Sequence, residues 1–418
     1  MRKILLGTTA MVGAALLGAT AAQAQTAPTV RVGGFMTTIF THVNDDLDRA
    51  RGPGSLTGVA GAGLVSRDKV DFRNEIEVHV FVTGKAANGL SYGAVIEFQN
   101  DNSGASGSGT AVDLDEAYVF LSSPTLGTIR FGEEDSAASI MQVRHPSITG
   151  LGADGAWGGG LINTSARVGA FPSLLNGIND GSDATKLIYL SPQFFGFDFG
   201  VSYAPNAGEG QRLFNGRPFD NFSTAAGAAV PLANLHRDGT ALTNELSGAL
   251  RYRGSFGNVG VAVGFGAMRA DASKNTAAGA SIAPSLRDIT AYTAGATLSA
   301  FGFTAGGEYT WGNYVGNSPG RGALLPGRDS SSHYALGLTY TMGAISVGGF
   351  YGRASQDNGA GVSDRQQTVY GIGAAYTIAP GLEAFGSYNR MEDKNVNISP
   401  ALLSRNANVF LLGTRLAF

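Results

Sequence analysis

The chain has 418 residues, of which only 15% are charged, with a formal charge of −3, 62 glycines and no cysteine. A soluble domain carries about 25% charged residues, a near-neutral balance argues against a nucleic-acid partner, and the missing cysteine excludes disulfides and thiol chemistry. Arg2 and Lys3, the apolar Ile4–Ala22 and the small Ala22-Gln23-Ala24 read as a secretory leader, 1–24, cleaved to leave one domain, 25–418. Removing Arg2 and Lys3 leaves 27 basic side chains against 32 acidic ones, a formal charge of −5. Beyond the leader no run of 18 apolar residues occurs, so a helical membrane span is not expected.

From residue 29 onward the hydrophobic period is two, and sixteen strand candidates follow one another. After a first strand at Thr29–Val43, Phe72, Ile76, Val78, Val80 and Val82 alternate with Arg73, Glu75, Glu77 and His79. Tyr92, Ala94, Ile96 and Phe98 oppose Gly93, Glu97 and Gln99. Leu114–Leu121 admits both phases, because Glu116 shares a face with Tyr118 and Phe120. Gly127–Gly132 follows, then a gap, then Ala184–Leu190, which is apolar on both faces over Leu187–Leu190. Phe197, Phe199, Val201 and Tyr203 face away from Asp198, Gly200 and Ser202, and Leu246, Leu250 and Tyr252 from Glu245, Ser247, Arg251 and Arg253. Tyr334, Leu336, Leu338, Tyr340 and Met342 oppose Ala335, Gly337, Thr339 and Thr341. The last strand, Ala407–Phe418, carries Phe410, Leu412, Leu416 and Phe418 on one face and Leu411, Gly413 and Arg415 on the other.

The connections alternate in length. Short ones include Ala87–Gly89, Pro124–Gly127, Gln193–Gly196, Ser255–Asn258, Phe301-Gly302, Gly343 and Ala379–Gly381; long ones centre on 44–67, 102–110, 133–183, 206–240, 271–286, 316–331, 356–365 and 394–406. All 14 prolines fall outside the strand cores, as a closed ladder requires. Short turns at one end and long loops at the other, joined by alternating strands, make an all-β transmembrane antiparallel barrel of about sixteen strands, with periplasmic turns and extracellular loops. Lipid offers no hydrogen bonds, so such a sheet must close, and about sixteen strands enclose water. Eighteen strands follow if 133–183 or 206–240 hides a hairpin. Tyr252, Trp311, Tyr314, Tyr351 and Tyr388 are placed for interfacial girdles. A secreted soluble β-sandwich or solenoid is the competing architecture.

The stretch Glu133–Asp183 is about fifty residues, far beyond the roughly 12–15 at which a structureless loop becomes unusual. It is expected to fold into the barrel and narrow a water-filled pore. It opens with Glu133, Glu134 and Asp135, carries Arg144, His145 and Asp154, and has no lysine. Arg73 and Arg130 lie on lumen phases as the basic counterpart, or as partners of Glu75, Glu77 or loop carbonyls. Glu97 completes the expected constriction.

No metal or cofactor is expected. Asn44–Asp48 lacks the glycine and bidentate glutamate of a calcium loop, so a solvated acidic loop is the better reading. The five histidines are never three to five residues apart, the usual ligand spacing. His145 and His236-Arg-Asp238 lack any strained nucleophile motif, so an enzyme is not expected. A selective sugar or anion channel ranks below an unspecific one. Sparse lysine disfavours an anion ring, and the lumen phases lack an aromatic slide.

At this point the chain resembles the general porins of Gram-negative outer membranes. The resemblance rests on Asp115-Glu-Ala-Tyr-Val-Phe-Leu121 leading to Gly127-Thr-Ile-Arg-Phe-Gly132, on the long loop that follows, on Ser191-Pro-Gln-Phe-Phe-Gly-Phe197 with Val201-Ser-Tyr203, and on terminal Phe418. It implies a 16-stranded homotrimeric barrel in the outer membrane, passed by ions and small hydrophilic solutes. It implies a third loop folded inward, with wall bases facing loop acids. It also implies that Phe418 serves as the signal to the barrel assembly machinery.

Overall fold

A computed structural model describes residues 27–46, 68–99, 112–153, 155–161, 175, 177–178, 183–206, 242–272, 287–314, 330–399 and 402–418. The expected leader, Leu47–Asp48, Asp154, residues 162–171 and His236-Arg-Asp238 lie outside them.

Sixteen strands appear in chain order: β1 (Thr29–Asp45), β2 (Val70–Lys85), β3 (Ser91–Gln99), β4 (Asp113–Ser123), β5 (Gly127–Glu133), β6 (Thr185–Leu190), β7 (Phe197–Asn206) and β8 (Leu242–Phe256) form one half. The other half is β9 (Val259–Ala272), β10 (Ile289–Ala300), β11 (Phe303–Asn313), β12 (Ser331–Met342), β13 (Ile345–Gln356), β14 (Arg365–Ala379), β15 (Leu382–Ser399) and β16 (Leu402–Ala417). Each pairs antiparallel with its sequence neighbours, and β1 pairs with β16 from Phe35↔Ala417 to Asp45↔Ala407, so the sheet is a closed barrel without edges. Phe418 completes the seam: its N–H donates to the Gly34 carbonyl (3.0 Å) and its carbonyl accepts from the Gly34 N–H (3.1 Å).

The alternation has its physical cause outside the chain. On β12, Leu336 and Leu338 are 54% and 51% exposed while Ala335 between β11 and β13 is 0% exposed, the inverse of a soluble protein's partition. A continuous apolar belt of this kind is stable only against lipid. Tight turns hold the short end. In the β10–β11 turn Phe301 (φ +55) and Gly302 (φ +82) both adopt left-handed backbone, the type I′ geometry whose twist matches the flanking strands.

Both strands of undecided phase acquire one here. Between β3 and β4 the register steps from Ile96↔Ala117 to Phe98↔Leu114, three residues against two. The bulge lets Glu116 share the inner face with Tyr118 and Phe120 while Leu114 and Ala117 both keep the outer one. On β6 Leu187 faces out (53% exposed) and Ile188 faces in (1% exposed). The inner face is apolar there because protein, not water, covers it.

Several expectations need correction. Residues 394–406 are not a long loop, since β15 runs to Ser399 and β16 starts at Leu402. Pro205 lies inside β7, past Tyr203, the last residue paired to β6, where its missing N–H breaks no ladder on that side. Tyr314 is no girdle residue: it is buried, and its hydroxyl meets His333 Nδ1 at 3.2 Å. Asn44–Asp46 is not a solvated acidic loop. Asp45 is buried on the inner face against Arg405 (Nε to Oδ1 3.0 Å), Asp46 accepts from the Asn406 N–H (2.8 Å), and Asn44 accepts from Lys69 Nζ (3.1 Å).

Candidate pore constriction

In its described residues, 134–153 and 155–161, the segment after β5 is not a free strap across the lumen. It lies along the inner wall. At its root Arg130 Nη1 donates to Glu134 Oε2 (2.6 Å), and buried Lys186 on β6 donates to the Glu134 carbonyl (2.5 Å). A short helix, α1 (Ala137–Ile140), follows, its N-cap Ser136 accepting from the Ser139 N–H (3.4 Å). Asp135 accepts from Ser139 Oγ at 2.8 Å. The first N–H groups of a helix have no partner within it. Here Ser202 Oγ on β7 accepts from Ala137 N–H (3.0 Å) and Ser247 Oγ on β8 from Ala138 N–H (3.1 Å). Two lumen-phase hydroxyls thus cap the helix and fix it to the wall.

The segment then passes over β10 and β12. A Cβ on Gly295 would stand 1.7 Å from the Val143 carbonyl oxygen, and one on Gly337 would stand 2.2 Å from that of Pro146. Only glycine lets backbone lie on backbone so closely. Between these contacts Glu308 on β11 is the anchor. It is 4% exposed, accepts from the His145 backbone N–H and from His145 Nδ1 (3.0 Å), and lies 3.4 Å from Arg144 Nε. His145 Nε2 in turn accepts from the Ala153 N–H (3.2 Å), which fixes the tautomer with its proton on Nδ1. Ser387 on β15 donates to the Gly150 carbonyl (2.7 Å), and Trp157, 1% exposed, donates to the Gly152 carbonyl (2.7 Å). The segment reaches β2 where Arg73 Nη2 donates to the Ala156 carbonyl (2.6 Å). Leu151, Ala153, Trp157 and Leu161 pack with Phe350, Phe385, Val409 and Leu411 of the wall into a dry core inside the barrel.

Two halves of the inner wall result. From β7 round to β16 and β1 it is covered by residues 136–161. Among the described residues, from β2 to β5 it is left to the lumen beyond the loop root and the Arg73 contact, and there stand Glu75, Glu77, His79, Glu97, Glu116 and Arg130, all on inward phases. His79 Nε2 lies 3.2 Å from Glu77 Oε2 and 3.3 Å from Glu97 Oε2. The Arg130 guanidinium lies 5.0 Å over the Tyr118 ring.

The sequence matches that of the Gram-negative porins over residues 7–396. This chain belongs to that family. Comparison with curated proteins finds no match. Among solved structures, the anion-selective porin from Comamonas acidovorans superposes with a TM-score of 0.56 at 15% identity, covering 94% of this chain and 100% of that one. The trimer form of OmpT from Vibrio cholerae gives 0.53 at 14% identity over 94% and 100% of the two chains. A mutant of the Rh. blastica porin gives 0.51 at 16% over 93% and 100%. These identities speak for the barrel fold. The porin family places the chain in the outer membrane.

In this porin the residues expected at the constriction separate into three groups. Glu75, Glu77 and Glu97 come together on the open wall. Arg73, Arg130, Glu134, Asp135 and Arg144 are each engaged in holding the loop root or its course. Glu133 pairs with Ala117 and Thr185 in the phase of outward Phe131, so the register does not bring it to the wall with the others. Arg251 and Arg253 both meet Asp198 at 2.8 Å near the short-turn end. Sequence reasoning missed Glu308, Lys186, Ser202 and Ser247 as loop anchors. Each stood in a lumen phase, but their partners are 52 to 164 residues away in sequence, and no local signal marks them.

Proposed function

We propose that this porin is a channel for passive diffusion of ions and small hydrophilic solutes, with residues 136–161 setting its narrowest cross-section. The observation that carries this is the loop's course: it fills one side of the lumen by hydrogen bonds to the wall and leaves the β2–β5 side lined by ionisable groups. Fixed charges act strongly on ions in a narrow, low-dielectric passage. Glu75, Glu77, Glu97 and Glu116 outnumber the bases on that side, and Arg73 is turned to a loop carbonyl, so a mild cation preference follows. The wall-base, loop-acid arrangement that the family resemblance implied has one counterpart in Arg130 and Glu134. Carboxylates line the wall itself.

We also infer that the chain is exported with leader 1–24, is delivered to the barrel assembly machinery through its terminal Phe418, and forms homotrimers. The β1–β16 seam at Phe418 and the trimer form of Vibrio cholerae OmpT support this reading. The test is single-channel conductance in planar bilayers. Deleting residues 153–171 is expected to raise it, and unchanged conductance would remove the loop as the constriction. Native mass spectrometry reads the trimer and a mature terminus at Gln25.

A further inference from the structure

Histidine spacing marks no metal site in this sequence, yet two strands of the barrel bring three candidate ligands together. His79 and Glu97 are directly opposed across β2 and β3, and Glu77 lies two residues from His79 on the same inward face. One ligand atom from each, an imidazole nitrogen and two carboxylate oxygens, fall within 4.8 Å of one another. We propose that Glu77, His79 and Glu97 bind a divalent transition-metal ion of the Zn²⁺ type on the lumen wall.

Three observations carry this. The first is spacing. Ligands bonded to tetrahedral zinc at about 2.0–2.2 Å stand about 3.3–3.6 Å from one another. The His79 Nε2 to carboxylate distances of 3.2 and 3.3 Å already match that edge, so the ion needs only a small closing of the two acids. The second is a buried carboxylate beside another carboxylate. Glu97 is 7% exposed, and among the described residues neither it nor Glu77 forms an ion pair with a lysine or arginine. Two carboxylates so close repel unless a proton or a cation lies between them. The third is the surroundings. Charged groups near the trio include Glu75 on β2, Asp115 and Glu116 on β4, Glu134 at the loop root, whose carboxylate is held by Arg130 at 2.6 Å, and Arg415 on β16. Arg130 is taken up by Glu134, and Arg415 is stacked on Phe35 at 3.8 Å. The field is therefore one that collects cations. The nitrogen ligand favours zinc and its neighbours over calcium and magnesium, which take oxygen sets. Three protein ligands leave positions open to lumen water.

The test is isothermal titration of ZnCl₂ into full-length, detergent-folded protein stripped with EDTA at pH 7.5, with MgCl₂ in parallel. One Zn²⁺ per protomer is expected, bound at least tenfold more tightly than Mg²⁺. Affinity falls at least tenfold in Glu97→Gln and in His79→Ala, and is unchanged in Asp364→Asn on the β13–β14 loop. Each variant is checked for heat-dependent electrophoretic mobility, and two independent substitutions guard against misfolding of either one. Absent Zn²⁺ binding, equal Mg²⁺ affinity, or binding that survives both substitutions overturns the site and leaves the trio holding a proton. Titration does not depend on conduction, so its failure is distinct from failure of the channel reading. In bilayers, bound Zn²⁺ cancels the charge of the two carboxylates and shifts the reversal potential toward anions in the native protein alone.

Discussion

The two halves of the inner wall obey one alternation and differ in everything it carries. Where the loop lies, from β7 to β1, the inward positions include many small and apolar groups, and the buried acids Asp198, Glu308, Asp393 and Asp45 each meet a basic side chain. From β2 to β5 they include the carboxylates Glu75, Glu77, Glu97 and Glu116 with His79, Arg73 and Arg130, beside Phe81, Val95, Tyr118 and Phe120. The difference teaches that a barrel's lumen face is not one environment. Inward positions hold small, apolar or paired groups where polypeptide covers them, and a run of carboxylates appears where it does not. Buried ion pairs mark the covered half: the side chains of Arg365 with Asp393 and of Arg405 with Asp45 are all at most 2% exposed.

The largest way to break this contrast is at the anchor. Glu308→Ala removes the acceptor of the His145 N–H and one partner of Arg144, and removing one partner of a buried charged pair costs about 3–5 kcal/mol. A lower urea-unfolding midpoint is expected together with higher single-channel conductance, since the freed loop no longer holds to β11. Destabilisation without a conductance change would show that the loop keeps its course by its apolar core alone.

The next tests inside against outside. Leu338→Arg puts a charge toward lipid and is expected to cost about 2–4 kcal/mol, whereas Thr339→Arg, facing inward, costs about 1 or less. Unfolding in lipid vesicles measures both, and equal costs would mean the phase of β12 is misassigned.

A smaller effect is expected at the helix cap. Ser202→Ala and Ser247→Ala each remove one acceptor for α1, about 1 kcal/mol apiece. Because the hydroxyls also contact each other at 3.0 Å, the double variant should depart from additivity. Hydrogen exchange at Ala137 and Ala138 reads the loss, and unchanged protection there would deny the cap.

The smallest and sharpest effect concerns the open wall. With EDTA present, neutralising Glu75, Glu77 and Glu97 to Gln should move the zero-current potential in a KCl gradient toward anions by more than neutralising Glu133, Glu134 and Asp135. The second set lies on an outward phase or is already hydrogen-bonded at the loop root. Replacing Arg73 and Arg130 should move it the other way. Both shifts shrink as the Debye length falls from about 10 Å at 0.1 M to 3 Å at 1 M salt. A larger shift from the second set would return the constriction's charge to the loop.

By itself the sequence determined the barrel. Period-two alternation, proline placement, the ordering of short and long connections and the phase of Phe410, Leu412, Leu416 and Phe418 are local properties, and lipid on one side with closure on the other turns them into one fold. It also marked 133–183 as the segment that matters. Tertiary structure alone decided the bulge that settles Glu116, the apolar inner face of Ile188, and the loop's route. It decided as well which charges anchor and which face water. His145 meets Glu308 across 163 residues and Arg405 meets Asp45 across 360. Alternation says only that a side chain points inward; whether it then meets polypeptide, another charge or water depends on contacts between distant segments, which no local pattern encodes.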